Sequence, residues 1–197
     1  DYMLVASGFY SNSINKDIIP IDMENSLKIL TINDFNQSKI DYNNFKNKQI
    51  CVIGNGPTGC DLACLLYRYK PKNIKLLYRS NRWLFRRYLW NKISTDSVLS
   101  RFNMKLANNI PTLLYVVVLI ILYYTVYIFG HGHFSFKVKP PFKRVTRKNV
   151  VLNEEIVNHI YKNNIEYIKT SSIKIDKQYL YYNNKQVDYD YIIIATG

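Results

Sequence analysis

Acidic residues are scarce in this chain of 197 residues. It carries 14 Asp+Glu against 27 Lys+Arg, a formal net charge of +13. An excess of this size suits a nucleic-acid surface, a membrane surface or a site for a polyanionic cofactor. No nucleic-acid-binding motif accompanies the charge, so a nucleic-acid partner is not expected. The abundance of Asn, Lys, Ile and Tyr, with 18 Tyr, also reads as a compositional bias that raises Lys throughout. Cysteine is scarce too. Cys51, Cys60 and Cys64 are an odd set without a secretory signal, which argues for reduced thiols in a cytosolic setting. Cys60 and Cys64 lie one helical turn apart, neither a C-x-x-C nor a four-ligand zinc set, so they read as small core residues. The missing C-x-x-C excludes a disulfide reductase of the thioredoxin type. His131 and His133 have no carboxylate or Cys close by, so no metal is expected there. An initiator Met and a signal peptide are absent, and both ends look cut. The expectation is a piece of a longer protein. Its 48% hydrophobic and 21% charged residues are those of a globular chain, long enough for one domain with a real core.

Glycine is also scarce, seven in all, yet three stand in Gly54-Asn-Gly-Pro-Thr-Gly59. The apolar run Gln49–Ile53 precedes this turn. A helix is expected over Cys60–Tyr69 and a second strand over Asn73–Tyr78. Strand, glycine turn, helix and strand fit in about 30 residues, the size of a dinucleotide-binding βαβ unit. Gly54 would permit the tight turn. Gly56 would let a pyrophosphate approach the backbone, and Gly59 would let the helix pack close to the strand. The phosphates would sit on the helix N-terminus, where free N–H groups and the dipole favour anions. The competing reading is a plain tight strand–helix turn.

A site for NAD usually has Asp or Glu at the end of the second strand, accepting from the ribose 2′-hydroxyl. Here the position is Arg79, followed by Ser80, Asn81 and Arg82. A carboxylate would repel a 2′-phosphate, whereas a guanidinium can grip it bidentately. The expected preference is NADP(H). Otherwise Arg79 is a solvated surface arginine.

In chain order, Asp1–Ala6 reads as an apolar strand ending in Ser7-Gly8. Residues 11–47 are polar and read as a long loop. Residues 79–105 are basic and aromatic, and Trp83 there either covers an adenine or simply packs. Between Lys105 and Lys137 there is no Lys, Arg, Asp or Glu. Its centre, residues 111–129, reads as one long helix of membrane-spanning length. Topology resists a span, since the parts on either side belong to one sheet. A helix lying in the membrane interface, or one buried against a partner domain, keeps them together. Asn153–Tyr161 reads as a helix capped by Asn153, with Glu154 and Glu155 in its first turn. Strands are expected at Ile165–Ile168, Ser171–Ile175, Tyr179–Tyr182 and Tyr191–Ala195, with a turn at Asn183-Asn184. The fold class is α/β: a Rossmann-like FAD/NAD(P)-binding domain with a central parallel sheet, flanking helices and a small β-meander.

These motifs together resemble the flavin-containing monooxygenases, the class B flavoprotein monooxygenase family. The matching pieces are Asp1-Tyr-Met-Leu-Val-Ala-Ser-Gly-Phe9, Ile53-Gly-Asn-Gly-Pro-Thr-Gly-Cys-Asp61, Leu77-Tyr-Arg-Ser-Asn-Arg-Trp83 and Tyr189-Asp-Tyr-Ile-Ile-Ile-Ala-Thr-Gly197. In that family two Ala-Thr-Gly-type strands bracket an inserted NADPH domain and join it to the FAD domain. Here the first reads Ala6-Ser7-Gly8, a mild departure. The resemblance implies that residues 1–197 are the NAD(P)H-binding domain of a larger two-dinucleotide flavoprotein. Gly54, Asn55, Gly56, Pro57, Thr58 and Gly59 would bind the NADP(H) pyrophosphate. Arg79, Ser80 and Arg82 would bind the 2′-phosphate, and Ala195, Thr196 and Gly197 would lie at the domain junction. FAD would be held mostly outside this chain, by the FAD domain of the same polypeptide. NADPH would reduce FAD, and a flavin C4a-hydroperoxide would oxygenate a small nucleophilic or carbonyl substrate with molecular oxygen. The alternatives are the NAD(P)H domain of a non-oxygenating flavoprotein reductase and a non-enzymatic membrane protein with an accidental glycine turn. The expected location is cytoplasmic, with the apolar helix offering contact with the cytosolic face of a membrane.

Overall fold

The structure is a computed structural model. It describes residues 28–36, 40–89, 92–95, 109–131, 137–141, 143, 150–176 and 179–195. The strand expected over Asp1–Ala6 lies outside these residues.

The centre is a five-stranded sheet. β1 (Lys28–Thr31), β2 (Gln49–Ile53), β3 (Asn73–Tyr78), β8 (Glu166–Lys169) and β12 (Tyr191–Ile194) stand in the order β1-β12-β2-β3-β8. Every pairing is parallel. A parallel sheet is buried on both faces, which is why β2 and β12 are runs of apolar residues rather than alternations. Successive side chains still take opposite faces. Ile50, Val52, Ile74, Leu76, Tyr191 and Ile193 turn to the helical face. Cys51, Ile53, Leu77, Ile192 and Ile194 turn to the other.

The helical face carries α2 (Pro57–Tyr67) and α4 (Ile156–Tyr161), which bury Leu62, Ala63, Leu66, Ile156, Val157 and Ile160. The opposite face is covered by an antiparallel meander of β9 (Ile173–Asp176), β10 (Tyr179–Tyr182) and β11 (Lys185–Asp188). The meander supplies Ile175, Leu180 and Tyr182 to that second core. Asn183 and Asn184 turn the β10–β11 hairpin with φ of 48° and 59°, the left-handed region in which Asn is tolerated. Asp190, just before β12, is tied to the start of β2. It accepts from the Gln49 N–H at 2.8 Å and pairs with Lys48 at 3.1 Å.

The segment 11–47 is not all loop. It contains β1, the short helix α1 (Ile32–Asn36) and a 3-10 turn (Tyr42–Phe45). β1 is four residues long and holds its place by pairing with β12, a partner more than 160 residues away. No local pattern announces such a strand. Phe45 is fully buried and packs edge-on against Tyr191 at 4.8 Å, anchoring the connection to the sheet. A second unannounced pairing joins β4 (Trp83–Phe85) to β7 (Val150–Leu152) in parallel. A smaller one joins β5 (Tyr88–Leu89) to β6 (Ile93–Ser94).

The helix expected at 111–129 is α3, Thr112–His131. Its Leu119, Ile120 and Tyr124 pack against the helical-face core, and Val116 is buried. Leu113, Leu114, Val117, Val118, Ile121 and Leu122 form an exposed stripe on the other side. The side chains of α3 are described at 112–122, 124 and 125. Among the described residues no helix is long and apolar enough to cross a membrane.

Candidate functional site

The glycine turn leaves the carboxyl end of β2, the middle strand of the sheet. From β2 the chain first builds outward through β3 to β8, and later returns to β12 on the other side. The turn therefore stands at the topological switch point, where open α/β sheets bind their ligands.

Each of the three glycines meets a different demand. Gly54 has φ of 114°, a conformation L side chains rarely adopt, and its N–H donates to the Leu77 carbonyl at 2.9 Å. Gly59 has no room for a side chain. A Cβ there would collide with the Gly54 carbonyl oxygen and come within 3.5 Å of the Ala195 Cβ. Gly56 is the opposite case: a Cβ would meet no described atom within 4 Å. The backbone at Gly56 thus borders open space, as close approach by a ligand requires.

Gly56 is the N-cap of α2, and Pro57 stands in its first turn. Proline there costs no hydrogen bond, because first-turn N–H groups have no intrahelical acceptor. No side chain caps this end. The N–H groups of Thr58 and Gly59 and the positive end of the helix dipole are left for an anion. Pro57 and Thr58 are exposed, and Gly59 is buried.

Asn55 differs from the glycines around it. Its side chain is buried, at 5% exposure, and turned into the protein. Its Nδ2 donates to the Ser80 carbonyl at 2.9 Å and to the Tyr167 hydroxyl at 2.7 Å. Its Oδ1 accepts from Arg82 Nε at 3.3 Å. Tyr167 in turn stacks on Tyr78, with ring centroids 4.0 Å apart. Asn55 thus joins the turn, the end of β3 and β8. Tyr167 is the member that sequence reasoning missed. It lies 112 residues from Asn55, and nothing in β8 marks it locally.

Arg79 and Ser80 are exposed immediately after β3, at the same edge as the turn. Ala195 follows β12 there, buried, its N–H donating to the Ile53 carbonyl at 2.8 Å. Thr196 and Gly197 lie outside the described residues. Gly54, Gly56, Gly59, Arg79, Ser80, Arg82 and Ala195 are therefore gathered along one edge. Trp83 is not a cover for an adenine. It is fully buried, stacks on Phe85 at 5.9 Å and donates its Nε1–H to the Lys143 carbonyl at 3.1 Å.

All three cysteines are free and buried. Burial pushes the thiols of Cys51 and Cys60 up, so neither is a thiolate at neutral pH. Cys60 opens onto the Asn55 carbonyl at 3.7 Å and packs beneath the turn.

Comparison with known proteins bears on the whole chain. The family model "Flavin-binding monooxygenase-like" matches residues 1–197. Flavin-containing monooxygenase 3 of Macaca mulatta is 38% identical over 69 residues, 34% of this chain and 13% of that protein. The Homo sapiens protein of the same name is 36% identical over the same share. The aligned part is thus a small fraction of these curated relatives. Among solved structures, cyclohexanone monooxygenase from Rhodococcus sp. Phi1 bound to NADP+ superposes with a TM-score of 0.58. It covers 94% of this chain and 44% of that one, at 12% identity. An oxidized steroid monooxygenase bound to NADP gives 0.57 at 12% identity, with the same coverage. At such identities the likeness is one of fold. With a family model that spans its full length and a parallel sheet of the matching architecture, the chain belongs to the flavin-binding monooxygenase-like family.

Proposed function

We propose that this chain is the NADPH-binding domain of a flavin-dependent monooxygenase. The observation that carries the reading is the edge of the sheet where an uncapped helix N-terminus and arginines stand together. The pyrophosphate would lie over Gly56, against the N–H groups of Thr58 and Gly59. Arg79, at the end of β3, would take the 2′-phosphate with Ser80 and Arg82. The Asn55 Oδ1 holds Arg82 Nε and so restricts where that guanidinium points. No carboxylate stands at the end of β3, so nothing there repels a 2′-phosphate.

FAD would be held by another part of the polypeptide and, once reduced, would supply the oxygen chemistry. Molecular oxygen and a small nucleophilic or carbonyl substrate would be the other reactants. Ala195 and the residues after it would form the junction with that flavin domain. The outer stripe of α3 would rest on the cytosolic face of a membrane, with its Leu, Val and Ile side chains in the apolar boundary.

The test is coenzyme choice. A guanidinium–phosphate contact contributes roughly 1.5–3 kcal/mol, about ten- to hundred-fold in affinity. Arg79→Ala in the full-length flavoprotein should weaken NADPH-driven flavin reduction by that factor and leave NADH-driven reduction nearly unchanged. Stopped-flow reduction with each coenzyme measures both. Equal losses for the two coenzymes, or no loss for either, would remove Arg79 from the phosphate site.

A further inference from the structure

The far half of α2 meets the start of α4 in a second cluster that the nucleotide reading does not use. Cys64 on α2, Glu155 at the N-cap of α4 and His159 one turn later each present one donor atom. These three atoms all lie within 4.8 Å of one another. Glu155 and His159 are spaced i,i+4, with His159 Nε2 3.9 Å from Glu155 Oε2.

The cluster is held from behind. Asn153 Oδ1 accepts from the N–H groups of Glu155 and Ile156 at 2.9 and 2.7 Å, and from the Cys64 thiol at 3.7 Å. Its Nδ2 donates to Asp61 at 2.6 Å. The His159 ring packs on Tyr67 with centroids 4.5 Å apart, and its Nδ1 lies 3.3 Å from the Asn164 amide. One ring nitrogen thus lies beside an amide while the other faces the Glu155 carboxylate. With the Asn164 amide turned over, its oxygen would accept from Nδ1–H, the arrangement that orients metal-ligating histidines. Burial lowers the His159 pKa despite Glu155 beside it, which keeps the imidazole in the neutral form that ligates.

We propose that Cys64, Glu155 and His159 form a binding site for a divalent ion of the zinc class, which clamps α4 onto α2. A sulfur, an imidazole nitrogen and a carboxylate oxygen make a mixed set suited to zinc rather than to magnesium or calcium, which favour oxygen alone. Three protein donors leave a fourth position for water. Without an ion, burial pushes the Cys64 thiol up to about 12, so it is protonated. On binding, the ion replaces the proton on Cys64 Sγ, and the proton leaves to solvent. His159 offers the Nε2 lone pair, with its proton on Nδ1 donated to the turned-over Asn164 amide oxygen. Arg68, which contacts Glu155 at 3.0 and 3.2 Å, is largely exposed and moves out to water. An ion pair so exposed is weakly held.

The test is a titration of metal-stripped full-length protein with Zn2+ in competition with a chromogenic chelator. One equivalent should bind at this site, with release of about one proton per ion at neutral pH. At an excess of about 100 times Kd, Tm should rise by about 5 °C. Cys64→Ser, Glu155→Gln and His159→Gln should each lower the affinity about ten-fold or more. Glu155→Gln is the variant least able to disturb folding, because its side chain is half exposed. The double change His131→Gln with His133→Gln should leave the titration intact. Retention of the equivalent by folded Glu155→Gln and His159→Gln proteins would overturn the proposal. So would its loss with the His131 and His133 changes, or an absence of competition with the chelator.

Discussion

The Gly54–Gly59 turn and the outer stripe of α3 both face outward, and they are built on opposite terms. In the turn, backbone geometry and packing dictate three of the six residues. Gly54 needs its positive φ, Gly59 has no room for a Cβ, and Asn55 is hydrogen-bonded on both sides of its amide. On α3 the fold dictates only the inner face, where Val116, Leu119, Ile120 and Tyr124 are packed. Leu113 is 79% exposed and Ile121 60%, and the packing described gives neither a task. The difference separates two kinds of signal. A constrained surface element reports on the chemistry it must perform. An exposed apolar element reports that a partner of matching chemistry is to be sought.

The hardest test of this contrast is within the turn itself. Gly59→Val forces a side chain into the Gly54 carbonyl and must push α2 off the strand, a backbone displacement costing about 1–3 kcal/mol or more. Both thermal stability and NADPH affinity should fall sharply. Gly56→Ala should separate the two readouts. Its φ of −70° suits alanine and its Cβ meets open space, so the melting temperature should hold while NADPH affinity drops. If Gly56→Ala binds NADPH normally, the pyrophosphate does not lie over this turn.

Next in size comes Asn55→Ala. It takes the amide partner from the half-buried Tyr167 hydroxyl and from the Ser80 carbonyl, which water can reach, so the cost is about 1 kcal/mol. Urea denaturation should show that loss with an unchanged slope. Tyr167→Phe should reproduce only a part of it. A stability equal to the parent protein would mean that this network ties nothing together.

The smallest effect belongs to α3. Ile121→Lys should change folding stability by no more than about 0.5 kcal/mol, the usual range for a surface substitution. In the full-length protein the same change should shift material from the membrane fraction to the supernatant. A large loss of stability would show that the stripe is covered within the molecule, and the contrast with the turn would then be lost.

The strand–turn–helix unit was legible because its signals are local. A short apolar run, glycines at fixed offsets and a following helix are set by backbone sterics over a few residues. The long helix and the β10–β11 turn at Asn183-Asn184 were legible for the same reason. The strand at Lys28–Thr31 and the pairing of Trp83–Phe85 with Val150–Leu152 were not, since each is fixed by a distant partner. Asn55 could be assigned to a glycine-rich turn from sequence. That its amide faces inward to Tyr167 rather than outward follows from the packing of β3 beside β8. Trp83 could be read as adenine cover or as core, and only its complete burial decided. Cys64 and His159 look like a small core residue and a helical polar one until α4 is laid against α2 and Glu155 completes the group. The sequence by itself determined the backbone chemistry of the turn and the basic residues that follow it, because steric rules and charge act between near neighbours. The tertiary structure alone decided which side chains meet across the sheet and between its helices, because burial and hydrogen bonding there join residues 90 to 160 positions apart in the chain.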